Sequence, residues 1–157
     1  MRIVLLQTGK TNEKHVADGI EVYSARIKKN AGFEIITLQD VKNSRNMTEQ
    51  ELREKEGKRI IESLKEGDYT ILLDEKGKEF RTVEFASWLG NRLMQPGRRL
   101  VFVAGGAWGF SGEVYSRADI IISLSKMTFP HQLVRLIFVE QLYRALSIIK
   151  GSPYHHE

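Results

Sequence analysis

The sequence predicts an α/β domain: a mostly parallel sheet flanked by helices. Two observations carry that expectation. Five short apolar runs alternate along the chain with segments of helical periodicity, the order that parallel strands with crossover helices require. The chain has 157 residues and neither an internal repeat nor a linker-like stretch, so residues 1–157 are expected to share one core.

Residues 2–7 (RIVLLQ) read as a first buried strand, broken at Thr8-Gly9. Gly9-Lys10-Thr11 has the ending of a phosphate loop, but position 4, where that motif needs glycine, is Val4. It is therefore a strand-to-helix turn. Residues 12–29 follow as a helix, with Val16, Ile20, Tyr23 and Ile27 on one face. Gly32 stops it, residues 33–38 (FEIITL) give a second strand, and residues 39–47 a polar connection carrying Lys42 and Arg45. Thr48 and Glu51 form a capping box that starts a helix reaching to about residue 64. Its Glu51/Lys55 and Glu54/Lys58 pairs at i,i+4 suit a solvated face.

Gly67-Asp68 turns into a third strand at 69–73 (YTILL), and residues 74–78 read as a charged turn. Thr82 is expected to cap a helix through residue 94, ended by Pro96-Gly97, with Val83, Phe85, Ala86, Leu89 and Leu93 on its apolar side. Residues 99–104 and 119–123 are strands four and five, with a short helix between 112 and 117. The last helix, 130–150, opens on Pro130, favourable in a first turn. Between 133 and 139 only Arg135 is polar. A helix apolar nearly all round is covered on more than one side, so a homodimer interface is expected there.

Composition narrows the function classes. No apolar run reaches the roughly 18 residues a membrane span needs, and no signal-peptide pattern opens the chain, so a cytoplasmic location is expected. With zero cysteines there is no disulfide framework and no thiolate metal site, and no metal is expected. A net charge of +4 and a pI of about 9.3 permit an acidic partner such as RNA without requiring one.

Two loops concentrate the chemistry. Strand four empties into residues 105–112, which hold four of the 13 glycines; strand five empties into residues 125–129, before Pro130. Strand ends followed by loops with few bulky side chains are where open α/β sheets take ligands. The glycines follow strand four, not strand one, so this is not a dinucleotide fingerprint, and an oxidoreductase is disfavoured. Ser123-Leu124-Ser125-Lys126 has the Ser-x-x-Lys spacing but lacks the companions of that hydrolase set. His131 near the helix start is either a base or a loop contact. Arg144 is either a helix-end charge paired with Glu140 or an anion clamp for substrate.

The chain resembles the RlmH family, SPOUT-class methyltransferases that act on N3 of a pseudouridine in 23S ribosomal RNA. The likeness spans the whole chain. It rests on Val103-Ala104-Gly105-Gly106 with Gly109, on the run from Leu124 to Gln132 (LSKMTFPHQ), on Glu140-Gln141-Leu142-Tyr143-Arg144-Ala145, and on the ending Pro153-Tyr154-His155. The resemblance implies a SPOUT-type fold with a C-terminal deep trefoil knot, a homodimer, S-adenosylmethionine as methyl donor, and 23S rRNA, within the ribosome, as partner. Carried over, Leu73, Gly105, Leu124, Ser125, Lys126, Met127, Thr128 and Phe129 would wrap the donor. The partner copy's C-terminal tail would complete the substrate site. N3 of pseudouridine carries a proton, so a base must take it or a cation must stabilise the anion. Arg144 is expected to stabilise that charge, with Tyr154 and His155 positioning the base or handling the proton, and His131 a second candidate. Trp108 and Phe110 make the glycine loop more aromatic than expected; Trp108 either stacks on a base or shields the pocket. A SPOUT enzyme for another RNA nucleotide and a non-catalytic ribosome-binding factor are the competing readings.

Overall fold

The structure, a computed structural model, describes residues 1–157. Its elements are β1 (Arg2–Thr8), α1 (Lys14–Lys28), β2 (Phe33–Leu38), a 3-10 turn (Ser44–Asn46), α2 (Glu49–Ser63), β3 (Asp68–Glu79), α3 (Thr82–Leu93), β4 (Arg99–Ala104), α4 (Gly112–Arg117), β5 (Ile120–Ser123) and α5 (His131–Lys150). The strands form one sheet in the order β2-β1-β4-β3-β5, and every neighbouring pair is parallel. No helix is long and apolar enough to cross a membrane.

Side chains alternate between the two faces of the sheet, which splits the core in two. Ile3, Leu5, Ile71, Leu100 and Phe102 face a 20-residue cluster with α1, α3 and α5; Val4, Leu6, Leu72, Val101 and Val103 face a smaller one of eight with α2 and α4. Fully burying a Leu, Ile or Phe contributes about 1.5–3 kcal/mol, so the α1/α3/α5 face supplies most of the stability. α5 packs between α1 and α3, burying Phe138, Val139, Leu142, Ala145 and Leu146. Its own chain therefore accounts for much of the apolar character of α5. Leu133, Leu136 and Ile137 stay only half-buried.

Several local expectations are met. Thr48 Oγ1 accepts from Glu51 N at 3.1 Å and Glu51 reaches back to Thr48 N at 3.3 Å. Others are corrected. α1 starts at Lys14, not residue 12. The Glu/Lys pairs of α2 are not closed; its one side-chain bond of this kind runs from Gln50 to Glu54 at 3.2 Å. Arg81, not Thr82, occupies the N-cap of α3, and Thr82 instead bonds Gln141 on α5 at 3.0 Å.

The largest correction concerns residues 74–78, which continue β3 instead of turning. The strand pairs with β5 twice, at Leu73↔Ile122 and again at Lys78↔Ile122, with an irregularity between. Gly77 makes the second pairing possible: a Cβ there would lie 2.6 Å from the backbone of Ile121 and Ile122. The irregularity places Asp74, Glu75 and Lys76 on the rim of the cleft described next.

Candidate active site at the strand ends

The carboxyl ends of β4, the first half of β3, and β5 lie together because Ala104 pairs with Leu73, and Leu73 with Ile122. The chain leaving β4 and the chain leaving β5 form the walls of a cleft of about 420 Å³. Within residues 105–110 the one backbone–backbone hydrogen bond runs from Gly109 N to Gly106 O, at 3.3 Å, and residues 124–129 make none. Side chains fix these loops instead. Ser123 Oγ donates to Ser125 O at 2.9 Å, Ser125 Oγ accepts from Met127 N at 3.0 Å, and Thr128 Oγ1 donates to Glu75 at 3.0 Å. Buried Phe110 closes the floor against Gly105, where a Cβ would come within 3.0 Å of its ring. The Tyr115 hydroxyl donates to the Asp74 carboxylate; burial and then that contact raise its pKa, so it stays protonated.

Leu73, Gly105, Leu124, Ser125, Met127, Thr128 and Phe129 all line the cleft. Lys126 does not: its side chain is 83% exposed and faces Glu79 at 3.4 Å. His131 lines the cleft, and burial, then the neighbouring Arg135 charge, lower its pKa, so it is neutral at pH 7.

Arg144, Tyr154 and His155 come together, but elsewhere. Arg144 Nε and Nη2 donate to Glu140 Oε1 at 3.0 and 2.5 Å, and Tyr154 OH donates to the same oxygen at 3.2 Å. Arg144 Nη1 lies 3.3 Å from His155 Nδ1, and its guanidinium sits 4.8 Å from the centre of the Tyr154 ring. The hydrogen bond to Glu140 raises the Arg144 pKa further, and burial followed by Tyr23 raises that of Tyr154. Arginine can only donate, so His155 Nδ1 accepts and a neutral ring carries its proton on Nε2. That Nε2 is buried and has no partner. Arg144 stands thirteen residues beyond His131 on α5, about 20 Å at 1.5 Å per residue. In one chain the cleft and the cationic cluster are thus separate.

Sequence reasoning passed over Arg53, Lys76 and Tyr115, which line the cleft, and Arg135 behind it. Arg135 is fully buried and donates to Gly9 O at 2.9 Å, Thr8 O at 2.5 Å and Thr11 Oγ1 at 3.0 Å, tying α5 to the end of β1. Its being the lone polar residue in an apolar stretch was the available signal.

A family model described as "Predicted SPOUT methyltransferase" matches residues 1–155. The chain belongs to the SPOUT methyltransferase family. It is 48% identical over 157 residues to "Ribosomal RNA large subunit methyltransferase H" of Phocaeicola vulgatus and 47% identical to the protein of that name from Bacteroides fragilis, covering 100% of both chains in each case. Among solved structures, a "probable methylase family protein" from Haemophilus influenzae superposes with a TM-score of 0.52 at 12% identity, over 99% of this chain and 70% of that one. A "putative methyltransferase" from Legionella pneumophila, solved "in complex with the bound cofactor SAM", gives 0.51 at 13% identity, over 95% and 66%. At that identity the two structures share the fold. In this SPOUT methyltransferase, as read from its own geometry, the backbone-lined cleft suits a polar, flat ligand and the cationic cluster suits a developing anion.

Proposed function

We propose that the chain transfers a methyl group from S-adenosylmethionine to N3 of a pseudouridine in 23S rRNA of the large ribosomal subunit, acting as a homodimer. The observation that carries this reading is the separation of two half-sites. The cleft offers a cavity with free main-chain groups, whereas the Arg144 cluster, which does not line it, offers a cation pre-aimed by Glu140. A second copy supplies what each lacks. The names of the relatives support the substrate, and half-buried Leu133, Leu136 and Ile137 leave apolar surface on α5 for a partner. The proposal includes the deep knot, supported by the way the 105–109 and 124–129 segments enclose one cleft.

The residues fit the donor. Leu73, Leu124 and Phe129 provide apolar walls, and the chain around Gly105, Ser125 and Met127 has N–H and C=O groups to spare for adenine and ribose. When bound, S-adenosylmethionine supplies an electrophilic methyl on a sulfonium. The protein's task is then to hold N3 in line and to favour its deprotonated form. Loss of the N3 proton to solvent water leaves charge spread over N3 and the two flanking carbonyl oxygens. Arg144, charged and pre-aimed by Glu140, stabilises it without reorganisation. Tyr154 remains protonated and positions. His155, in contact with Arg144 through Nδ1, helps hold the guanidinium in place.

Labelled donor incubated with free 23S rRNA, 50S subunits and 70S ribosomes in parallel tests this. N3-methylpseudouridine found by mass spectrometry in at least one of them is the expected result. Label on a different nucleotide, or none in any, contradicts it.

A further inference from the structure

Beside the cleft lies a second recess of about 200 Å³, and Gly106, Ala107, Trp108 and His131 line both. Its far wall carries Asp40, from the loop after β2, and Glu56, on α2. Neither carboxylate has a hydrogen-bond or ion-pair partner within the chain: Arg59, the nearest cation on α2, is spent on the main-chain oxygens of Gln39 and Asp40, at 2.5 and 2.9 Å. Arg135, the other cation near Asp40, is spent on the carbonyls at the end of β1. The backbone at Gly106 approaches Glu56 so closely that a Cβ would lie 2.6 Å from its carboxylate, so a glycine admits the acid to the recess. Independently, Thr8 is 6% exposed, lines the same recess, and its Oγ1 has no partner. Trp108, half exposed, is the one large ring on the wall.

We infer that this recess holds a nucleobase of the RNA strand next to the methylated one, and that it selects a base with an exocyclic amine over uracil. The inference deepens the RNA-methyltransferase reading and rests on it. An aromatic wall takes the face of an unstacked base, and the acidic groups read its edge. A carboxylate accepts from the N4 amine of cytosine or the N6 amine of adenine. The Thr8 hydroxyl can donate to the acceptor nitrogen beside that amine, N3 or N1. Uracil shows carbonyl oxygens where the amines stand, and these oppose the carboxylates. Two unpaired acids crowded together agree with this: burial, then Asp40, raise the Glu56 pKa.

The test uses the full-length protein saturated with S-adenosylhomocysteine, titrated with CMP, AMP and UMP while tryptophan fluorescence is followed. CMP or AMP should bind roughly tenfold tighter than UMP, one good edge contact's worth of discrimination. Glu56→Gln or Asp40→Asn should erase that preference while the affinity for S-adenosylmethionine, measured by calorimetry, stays the same. UMP binding as tightly as CMP and AMP in the wild-type protein overturns the proposal, as does absence of binding by all three. So does a preference that survives in both variants. A Glu56→Gln protein that loses donor affinity instead would assign the acids to the donor's amino group, and also overturns it. Since no methyl transfer is read, the outcome is independent of whether 23S rRNA is the substrate.

Discussion

Arg144 is the residue on which the proposed chemistry turns. Its charge is fixed by two hydrogen bonds to Glu140 and faces Tyr154 and His155, so the cluster is built before any substrate arrives. Arg144→Ala should lower kcat on ribosomal substrate by about 10²–10³-fold, the usual cost of one pre-aimed electrostatic donor. Donor affinity should hold in calorimetry, because Arg144 is not among the residues that line the donor cleft. Glu56 makes the opposite kind of prediction. Its folded pKa lies above the unfolded value near 4.5, through burial and Asp40. The ionised form is therefore disfavoured by folding: the contribution of Glu56 to stability is fully present below pH 4.5 and lost as pH rises through the folded pKa. Glu56→Gln should stabilise the protein at pH 7, by no more than about 1 kcal/mol for a half-exposed group, and not at pH 4. Urea unfolding at the two pH values checks this. Arg144 could be singled out in the sequence because a charge on an apolar helix is conspicuous. Glu56 could not, since it sits among acids and bases of a solvated helix and only the approach of Gly106 makes it special.

Among the elements, β3 decides where the cleft opens. Leu73 ends its first pairing with β5, and the irregular stretch that follows sets Asp74 on Tyr115 and Glu75 on Thr128. Gly77→Ala would push a methyl into the β5 backbone; it should cost about 1–3 kcal/mol of stability. Because residues 124–129 hang from β5, donor binding should weaken as well. Denaturation and calorimetry on one preparation would show both, and a variant with wild-type values in each would remove β3 from this role. The helices and the four other strands were readable from periodicity and caps, with errors of one or two residues at some ends. The tail of β3 was not, because its composition is that of a turn: Asp, Glu, Lys and Gly disfavour strands in isolation. What holds it extended is a neighbour distant in sequence, β5, and no local pattern records that pairing. For the same reason the loops at the strand ends were legible as a site, while the side chains that brace them were not.

At the scale of the whole molecule, the two half-sites stand about 20 Å apart along α5 in one chain. On the proposed reading each half-site needs the other, and a second copy brings them together. Removing the residues after Ser152 deletes Tyr154 and His155 and should abolish turnover while leaving the cleft able to bind donor, as equilibrium dialysis would show. The sequence gives no direct access to this arrangement, since an apolar helix reads alike whether its own chain or another covers it. Mixing two inactive variants asks the question most directly. Gly105→Leu, whose side chain has to enter the cleft past Phe110, disables the donor site, and Arg144→Ala disables the cluster. Unfolded and refolded together in equal amounts, they should form heterodimers with one intact composite site each, restoring about a quarter of wild-type methyl transfer if subunits assort at random. A mixture as inactive as either variant alone, with heterodimers demonstrably present, would contradict a site shared between two copies.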